Sequence, residues 1–190
     1  MTKLAVVFAN GCEEIEGLTQ IDVFRRLGVQ ADVIGLDSLQ INGDHDIKLT
    51  CDGVVDQNLL DYDCVIFPGG VTGANNLRDS DQLMKIMRER QAAGKWNAAM
   101  CTAPIAFARY GLLDNHDYTC YPGFNKQADK DAQNAHFKED ITVVDKKGHV
   151  ITSRGPATAM TFAFCIADTL GLDTTQLREG MLYNFLAKNI

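Results

Sequence analysis

Long basic runs and long apolar runs are both missing from this sequence. Lysine and arginine total 18 against 25 aspartate and glutamate residues, which gives a formal net charge of -7. Without a basic stretch there is no electrostatic footprint for nucleic acid. No window approaches the roughly 18 uncharged apolar residues that mark a membrane-spanning helix. We therefore expect neither nucleic acid nor a membrane among the partners of this protein.

Closely spaced cysteine pairs are missing too. The six cysteines include no CxxC pair, and no signal-peptide cleavage pattern follows the apolar run at 4–8. We expect a reduced, cytoplasmic protein without a disulfide framework. The cysteines are Cys12, Cys51, Cys64, Cys101, Cys120 and Cys165.

The common spacings of metal-binding histidines and the fingerprints of nucleotide binding are also missing. The four histidines show no HxH, HxxxH or HExxH spacing, and His45 falls in a predicted hairpin turn. The glycines at 69, 70 and 73 fit neither GxGxxG nor a P-loop. We predict that the protein uses no metal and no cofactor.

The sequence does contain an alternation of short apolar runs with helical patterns. Strands are predicted at 4–8, 31–36, 64–67, 98–100, 141–144 and 150–153, with a hairpin of 39–41 and 47–50. Helices are predicted at 16–27, 80–93, 104–110, 157–170 and 174–184. With 190 residues, 46% of them hydrophobic, we expect one domain over residues 1–190. The strand–helix–strand units predict an α/β fold, a mainly parallel sheet with helices on both faces.

Ligands of such sheets bind beyond the carboxyl ends of the strands. Loop 10–16, loop 68–75 and Cys101 are expected to meet at that edge. Cys101 stands between the apolar run 98–100 and a predicted helix, which is the position of a nucleophile elbow. The free N–H groups and the dipole of that helix favour thiolate over thiol. The alternative is a buried structural cysteine, which behaves as a small hydrophobe.

Glu13, Glu14 and Glu16 form an acidic cluster after the first strand. Carboxylates favour the start of a helix, so a solvated helix start explains Glu13 and Glu14. Glu16 begins the apolar-periodic segment and is the candidate for a side chain that points into the site. The same solvated role remains the alternative for Glu16.

Residues 68–73 form a glycine-rich turn after a predicted strand. Gly69 and Gly70 let backbone N–H groups approach a ligand closely, which suits an oxyanion hole with the Thr102 N–H as a second donor. An ordinary tight turn is the alternative. Arg26 and Arg154 are either surface charges or accessory groups. Arg154 follows a strand and precedes a helix, so it could face the same crevice and receive an anion.

Four segments, in this order along the chain, carry a resemblance to a known family. The sequence resembles the ThiJ/PfpI superfamily, in the branch of Parkinson disease protein 7, the parkinsonism-associated deglycase. The segments are Asn10-Gly11-Cys12-Glu13-Glu14-Ile15-Glu16 with 21–26 downstream, Phe67-Pro68-Gly69-Gly70 with 73–77, Ala98-Ala99-Met100-Cys101-Thr102-Ala103-Pro104, and Thr152-Ser153-Arg154-Gly155-Pro156-Ala157-Thr158.

The resemblance implies a flavodoxin-like three-layer sandwich of the class I glutamine amidotransferase type, and a homodimer built partly on the first helix. It implies that Cys101 is an easily oxidised nucleophile and that Glu16 is its protonated partner. It also matches Cys51 to a family cysteine near the dimer interface. The activities implied are a cofactor-free glyoxalase, deglycation of methylglyoxal adducts on proteins, a redox-dependent chaperone and a sensor of oxidative stress.

Tyr121 departs from the family pattern, because members often carry a histidine just before the proline that corresponds to Pro122. A Cys–His pair is therefore unavailable, which disfavours the peptidase or amidase alternative. Tyr121 could still donate a hydrogen bond to a substrate oxygen, and Cys120 beside it adds a second thiol near the mouth of the site.

A proton shared between Cys101 and Glu16 is the mechanism we expect. The helix N-terminus is expected to lower the pKa of both groups, and two anions in contact are costly, so the pair should hold one proton. The favoured arrangement is a thiolate beside a neutral Glu16. The thiolate would attack a reactive aldehyde, free or on a glycated protein, and Glu16 would relay the proton. A non-enzymatic redox sensor or chaperone, using Cys101 sulfinate, is the alternative.

Overall fold

The computed structural model describes residues 2–189. Its strands are β1 (Lys3–Phe8), β2 (Gln30–Gly35), β3 (Gln40–Asn42), β4 (Lys48–Thr50), β5 (Gly53–Val54), β6 (Cys64–Phe67), β7 (Trp96–Met100), β8 (Asp117–Tyr118), β9 (His136–Phe137), β10 (Thr142–Asp145) and β11 (Val150–Ser153). Its helices are α1 (Glu14–Arg26), α2 (Val71–Asp79), α3 (Asp81–Ala92), α4 (Pro104–Tyr110), α5 (Asn125–Asp131), α6 (Ala159–Thr169), α7 (Thr175–Gly180) and α8 (Tyr183–Asn189).

A seven-stranded sheet forms the middle layer, in the order β10-β11-β7-β6-β1-β2-β5. Neighbouring strands are parallel except β10 and β11, which pair antiparallel at one edge. The predicted, mainly parallel sheet is therefore confirmed. All the parallel strands end at the same edge, so β1, β6, β7 and β11 deliver their following loops to one place.

Helices cover both faces of the sheet, as predicted. Alternate residues of β1 face opposite ways: Val7 packs in a core with α2, α3 and α4, whereas Val6 packs in a second core with α1 and α6. The near-continuous apolar run of β1 follows from this, because a parallel strand is buried on both faces.

The predicted loop 68–75 is wrong in its second half, where α2 begins at Val71. Gly70 precedes it in a left-handed conformation, with φ of 86°, and apolar contacts at Ala74 and Leu77 hold the helix on the core. The predicted helix 174–184 is also wrong as a single element. It divides into α7 and α8 around Leu182, whose φ of 59° is incompatible with a continuous helix.

The predicted hairpin is confirmed as β3 and β4, which pair antiparallel with Asn42 opposite Lys48. It folds back over the start of α1. The Gly11 N–H donates to the Asn42 carbonyl at 2.7 Å, and the Asp44 N–H donates to the Cys12 carbonyl at 2.8 Å. The turn of the hairpin is thereby fixed beside the loop that follows β1.

Among residues 2–189, no helix has both the length and the apolar composition needed to cross a bilayer.

Candidate active site

Cys101 lies on the predicted elbow between β7 and α4. Its φ is 59°, a left-handed conformation that residues other than glycine adopt uncommonly. Two hydrogen bonds hold it: its N–H donates to the Ser153 carbonyl at 3.0 Å, and its carbonyl accepts from the Tyr121 N–H at 2.7 Å. The residue is only 6% exposed. The elbow holds the backbone of Cys101 rigidly in a largely buried pocket.

Glu16 reaches the same place from the first turn of α1. It is completely buried, and its Oε2 accepts from the Gly69 N–H at 2.6 Å. The Glu16 N–H is itself held by the Glu13 carboxylate, which caps the helix at 2.8 Å. The second oxygen of Glu16, Oε1, is buried without a nitrogen or oxygen partner among the described residues. The Glu16 carboxyl lies beside the Cys101 thiol, so the two groups can share a proton.

Gly69 is the residue around which this pair closes. A Cβ added there would lie 2.6 Å from the Cys101 Cβ, 2.8 Å from Glu16 Oε2 and 3.0 Å from the Cys101 sulfur. Any side chain at this position would therefore force the thiol and the carboxyl apart. Its N–H is already bound to Glu16, so Gly69 positions the carboxyl and is not placed as an oxyanion donor.

The backbone N–H groups of Gly70 and Thr102 lie close enough to the Cys101 sulfur to act on the pKa of its thiol, which they lower. They come from loop 68–70 and from the elbow, the segments that were expected to meet at this edge. Loop 10–16 joins them, because the Glu13 N–H donates to the Gly69 carbonyl at 2.9 Å. The two donors can stabilise negative charge on the sulfur or on an atom bonded to it.

The expectation that the helix N-terminus lowers both pKa values is wrong. Burial raises the pKa of Glu16 to about 7, although the hydrogen bonds with Gly69 and Cys101 oppose the rise. Burial and then the charge of Glu16 raise the pKa of Cys101, against the Gly70 and Thr102 N–H groups. Desolvation outweighs the helix dipole here because both groups are removed from water. Near neutral pH the pair therefore retains one proton.

The interpretation of Glu13 and Glu14 as a solvated helix start is wrong. Glu13 is 8% exposed and Glu14 is 2% exposed. The hairpin covers Glu14, which accepts from the backbone N–H of His45 at 2.7 Å and contacts its ring Nδ1 at 2.8 Å. Burial acts to raise the pKa of Glu14, but the hydrogen bonds with His45 outweigh it and lower that pKa.

Potential metal-ligand atoms of Glu13, Glu14 and His45 lie within 4.8 Å of one another. Both Glu14 oxygens are already used by His45, and Glu13 caps α1. The grouping is explained by the packing of the hairpin on α1.

A cavity of about 210 Å³ opens above the thiol, and we call it the Cys101 cavity. Sequence reasoning identified Gly70, Cys101, Thr102 and Tyr121 but missed the contributions of Glu13, Asp44 and Phe124. Asp44 arrives on the hairpin turn, and nothing in its local sequence indicates that position. The lining residues are Glu13, Asp44, Gly70, Val71, Cys101, Thr102, Tyr121, Phe124 and Pro156.

Arg26 does not belong to the site within this chain. It lies at the far end of α1 from Glu16 and pairs with Asp22 at 2.7 Å on an exposed surface. Cys51 is buried beneath the hairpin, where its N–H donates to the Leu39 carbonyl at 2.8 Å. Neither residue lines the Cys101 cavity.

Arg154 and Cys120 lie behind the wall of the Cys101 cavity. The Arg154 guanidinium stands over the Phe137 ring at 5.9 Å and lies 3.8 Å from the Glu139 carboxylate. Cys120 is completely buried, and burial raises the pKa of its thiol, against the nearby Arg154 charge. Cys120 does not line the Cys101 cavity, so its thiol is closed to a reagent that reaches Cys101.

The comparisons with known proteins agree with this fold. Residues 2–169 match the model of the DJ-1/PfpI family. Protein dj-1beta of Drosophila melanogaster is 36% identical over 173 residues, 90% of each chain, and its crystal structure has a TM-score of 0.87 over 96% of this chain and 98% of that one. The Parkinson disease protein 7 homolog of Danio rerio is 32% identical over 87% of each chain. The structure of Toxoplasma gondii DJ-1 is 28% identical over 98% of each, with a TM-score of 0.83. The chain belongs to the DJ-1/PfpI family, with its flavodoxin-like, class I glutamine amidotransferase-like fold.

Proposed function

We propose that this protein is a cofactor-free glyoxalase or deglycase that acts on methylglyoxal or its protein adducts. Cys101 is the nucleophile and Glu16 the proton shuttle. The observation that carries the proposal is the closure of this pair around Gly69, with the Gly70 and Thr102 N–H groups at the sulfur. A nucleophile, a proton carrier and two charge-stabilising donors are the parts that such a reaction needs.

The reaction begins when Glu16 takes the proton of the Cys101 thiol and the sulfur adds to the aldehyde carbon of methylglyoxal, which forms a hemithioacetal. Gly70 and Thr102 stabilise the oxygen that gains charge, and removal of one such donor typically costs ~10²–10³ in rate. Glu16 gives its proton to that oxygen, and the resulting carboxylate takes the proton from the former aldehyde carbon and returns it to the neighbouring carbon, while the hydroxyl proton of the first carbon passes to the oxygen of the second. This oxidises the first carbon, reduces the second and leaves a thioester of lactate. One water molecule then hydrolyses the thioester, which releases lactate and the free thiol.

Lactate production tests the proposal directly. We expect the purified protein to convert methylglyoxal to lactate in stoichiometric amounts, measured enzymatically against a no-protein control. Prior alkylation of Cys101 by iodoacetamide, verified by peptide mass spectrometry, should stop the conversion. Methylglyoxal loss without lactate would indicate chemical modification of the protein and would refute the glyoxalase proposal.

A redox sensor or redox-dependent chaperone is the second candidate, and the surroundings of the sulfur favour it. The Gly70 and Thr102 N–H groups and a protonated Glu16 would donate to the oxygens of a sulfinate. Each of two peroxide molecules would give one oxygen to the sulfur and leave as water. The solved structure of Toxoplasma gondii DJ-1 is that of the oxidised protein.

Peroxide treatment separates this candidate from the first. We expect a mass gain of two oxygens on the Cys101 peptide and none on the fully buried Cys64 and Cys120 peptides. Tandem mass spectrometry over a peroxide titration measures the sites. A sensor without enzyme activity would show this selective oxidation, suppress aggregation only when oxidised and produce no lactate. Uniform oxidation of several cysteines would contradict the selectivity.

A cytoplasmic homodimer completes the proposal. Ile15 and Leu18 of α1 are 58% and 39% exposed, which leaves apolar surface on the first helix for a second copy. Cys51 would lie near that interface. A peptidase or amidase remains disfavoured, because Tyr121 supplies no general base beside the thiol.

A further inference from the structure

Four residues give the Cys101 cavity an apolar and aromatic lining, which we call the aromatic wall: Tyr121, Phe124, Val71 and Pro156. The lining also includes the carboxylates of Glu13 and Asp44. No lysine or arginine of the described residues lines the cavity. A substituent that enters here meets aromatic surface and finds no basic group to receive a charge, so its chemistry should be neutral and apolar.

The backbone of the nucleophile itself holds the Tyr121 side of the wall in place. The Tyr121 N–H donates to the Cys101 carbonyl at 2.7 Å, and the Phe124 N–H donates to the Tyr121 carbonyl at 3.1 Å. The two rings meet edge to face, with centroids 6.3 Å apart and planes at 74°. Gly155 packs beside the Tyr121 ring, since a Cβ there would lie in ordinary van der Waals contact, 3.4 Å from Tyr121 Cδ2. These contacts fix the position of the aromatic wall relative to the Cys101 sulfur.

We propose that Tyr121, with Phe124, is a specificity determinant that makes the site favour carbonyl substrates with an aryl substituent beside the reactive carbonyl. This inference rests on the proposed function and names its substrate class. The methyl group of methylglyoxal covers little of the wall. A phenyl ring of the same α-ketoaldehyde buries much more apolar area and can pack edge to face or offset on Tyr121. A cavity of about 210 Å³ suits one flat ring beside the reacting carbons.

Turnover of phenylglyoxal against methylglyoxal tests the inference. Each substrate takes up one water, and the products are mandelate and lactate, both quantifiable by chromatography. We expect the ratio of kcat/KM values to favour phenylglyoxal by about tenfold in the parent protein. Tyr121→Ala should reduce this ratio about tenfold, whereas Tyr121→Phe should keep it because the ring remains.

Tyr183→Ala is the matched control, because this tyrosine packs on Phe164 away from the Cys101 cavity. It should keep the parent ratio. Tyr121 is 45% exposed, so its truncation does not threaten the core. An unchanged ratio in Tyr121→Ala, or a parent ratio below one, would overturn the inference.

Alkylation of Cys101 keeps the inference distinguishable from the proposed function. Rates with N-phenylmaleimide and N-methylmaleimide, measured on the Cys101 peptide, need no turnover, and their ratio cancels the fraction of thiolate. We expect the phenyl reagent to be favoured in the parent and in Tyr121→Phe, and the preference to fall in Tyr121→Ala. If no lactate or mandelate forms but this pattern holds, the proposed function is refuted and the preference of the aromatic wall for an aryl group is supported. If products form without this pattern, only the inference about the aromatic wall is refuted.

Discussion

Cys101→Ser is expected to reduce lactate formation from methylglyoxal by ~10³ or more, to the level of the solution without protein. A serine hydroxyl needs a general base to become a nucleophile, and the residue beside the elbow is Tyr121, while no histidine within residues 2–189 lines the cavity. Glu16 takes protons in the proposed reaction, but a serine hydroxyl is a much weaker acid than a thiol, so a carboxyl whose pKa burial raises to about 7 activates serine poorly. The variant should also lose the peroxide-induced gain of two oxygens at this position. Lactate assays and peptide mass spectrometry measure the two losses.

Cys165→Ser is the matched control for this result. Cys165 lies on α6, outside the Cys101 cavity, and is partly exposed, so the same exchange of sulfur for oxygen should leave lactate formation unchanged. Thermal unfolding of both variants should show that the chain still folds. Residual lactate formation in Cys101→Ser at more than a few per cent of the parent rate would mean that another group is the nucleophile.

The sequence was sufficient to predict the sheet and the elbow because both depend on local patterns. The apolar run at β7 followed by Pro104 predicts the turn, and the φ of 59° at Cys101 agrees with it. The start of α2 was missed because Gly70 and the polar residues after it resemble a loop. Its helical contacts, Ala74 and Leu77, become evident only once the core beneath them is known.

The burial of Glu13 and Glu14 could not be predicted from their neighbours in sequence. An acidic helix start is normally solvated. Here the turn of the β3–β4 hairpin, some 30 residues away, covers it, with His45 bound to Glu14. The consequence reaches the site, because the same turn carries Asp44 into the lining of the Cys101 cavity. Long-range packing of this kind leaves no periodic signal in the sequence.

Glu16→Gln is expected to abolish turnover while iodoacetamide still alkylates Cys101. Glutamine can accept the Gly69 N–H in place of the carboxyl, so the geometry around Gly69 is kept. It cannot take a proton from one carbon and return it to the next, which removes the isomerisation step. The measurement is lactate formation beside the rate of Cys101 alkylation. Full turnover in this variant would refute the role of Glu16 as the proton shuttle.

The same variant should change how stability depends on pH. Glu16 has an ordinary pKa of 4.5 and a folded pKa of about 7. Between these values the folded chain holds a proton that the unfolded chain releases, so rising pH favours unfolding. The parent should therefore lose up to about 3 kcal/mol of unfolding free energy between pH 4.5 and 7 from this group.

Glutamine does not titrate, so the unfolding free energy of Glu16→Gln should rise relative to that of the parent by this amount as the pH rises from 4.5 to 7. Above pH 7 the difference between the two free energies should stay constant. Urea unfolding at pH 5 and pH 8 measures this gap, the difference in unfolding free energy between variant and parent. Glu89→Gln is the control, because Glu89 lies exposed on α3. Its unfolding free energy relative to the parent should be the same at both pH values. A gap for Glu16→Gln that does not vary with pH would mean that the buried carboxyl is not protonated in the folded protein, and the shared proton would then have to reside on Cys101.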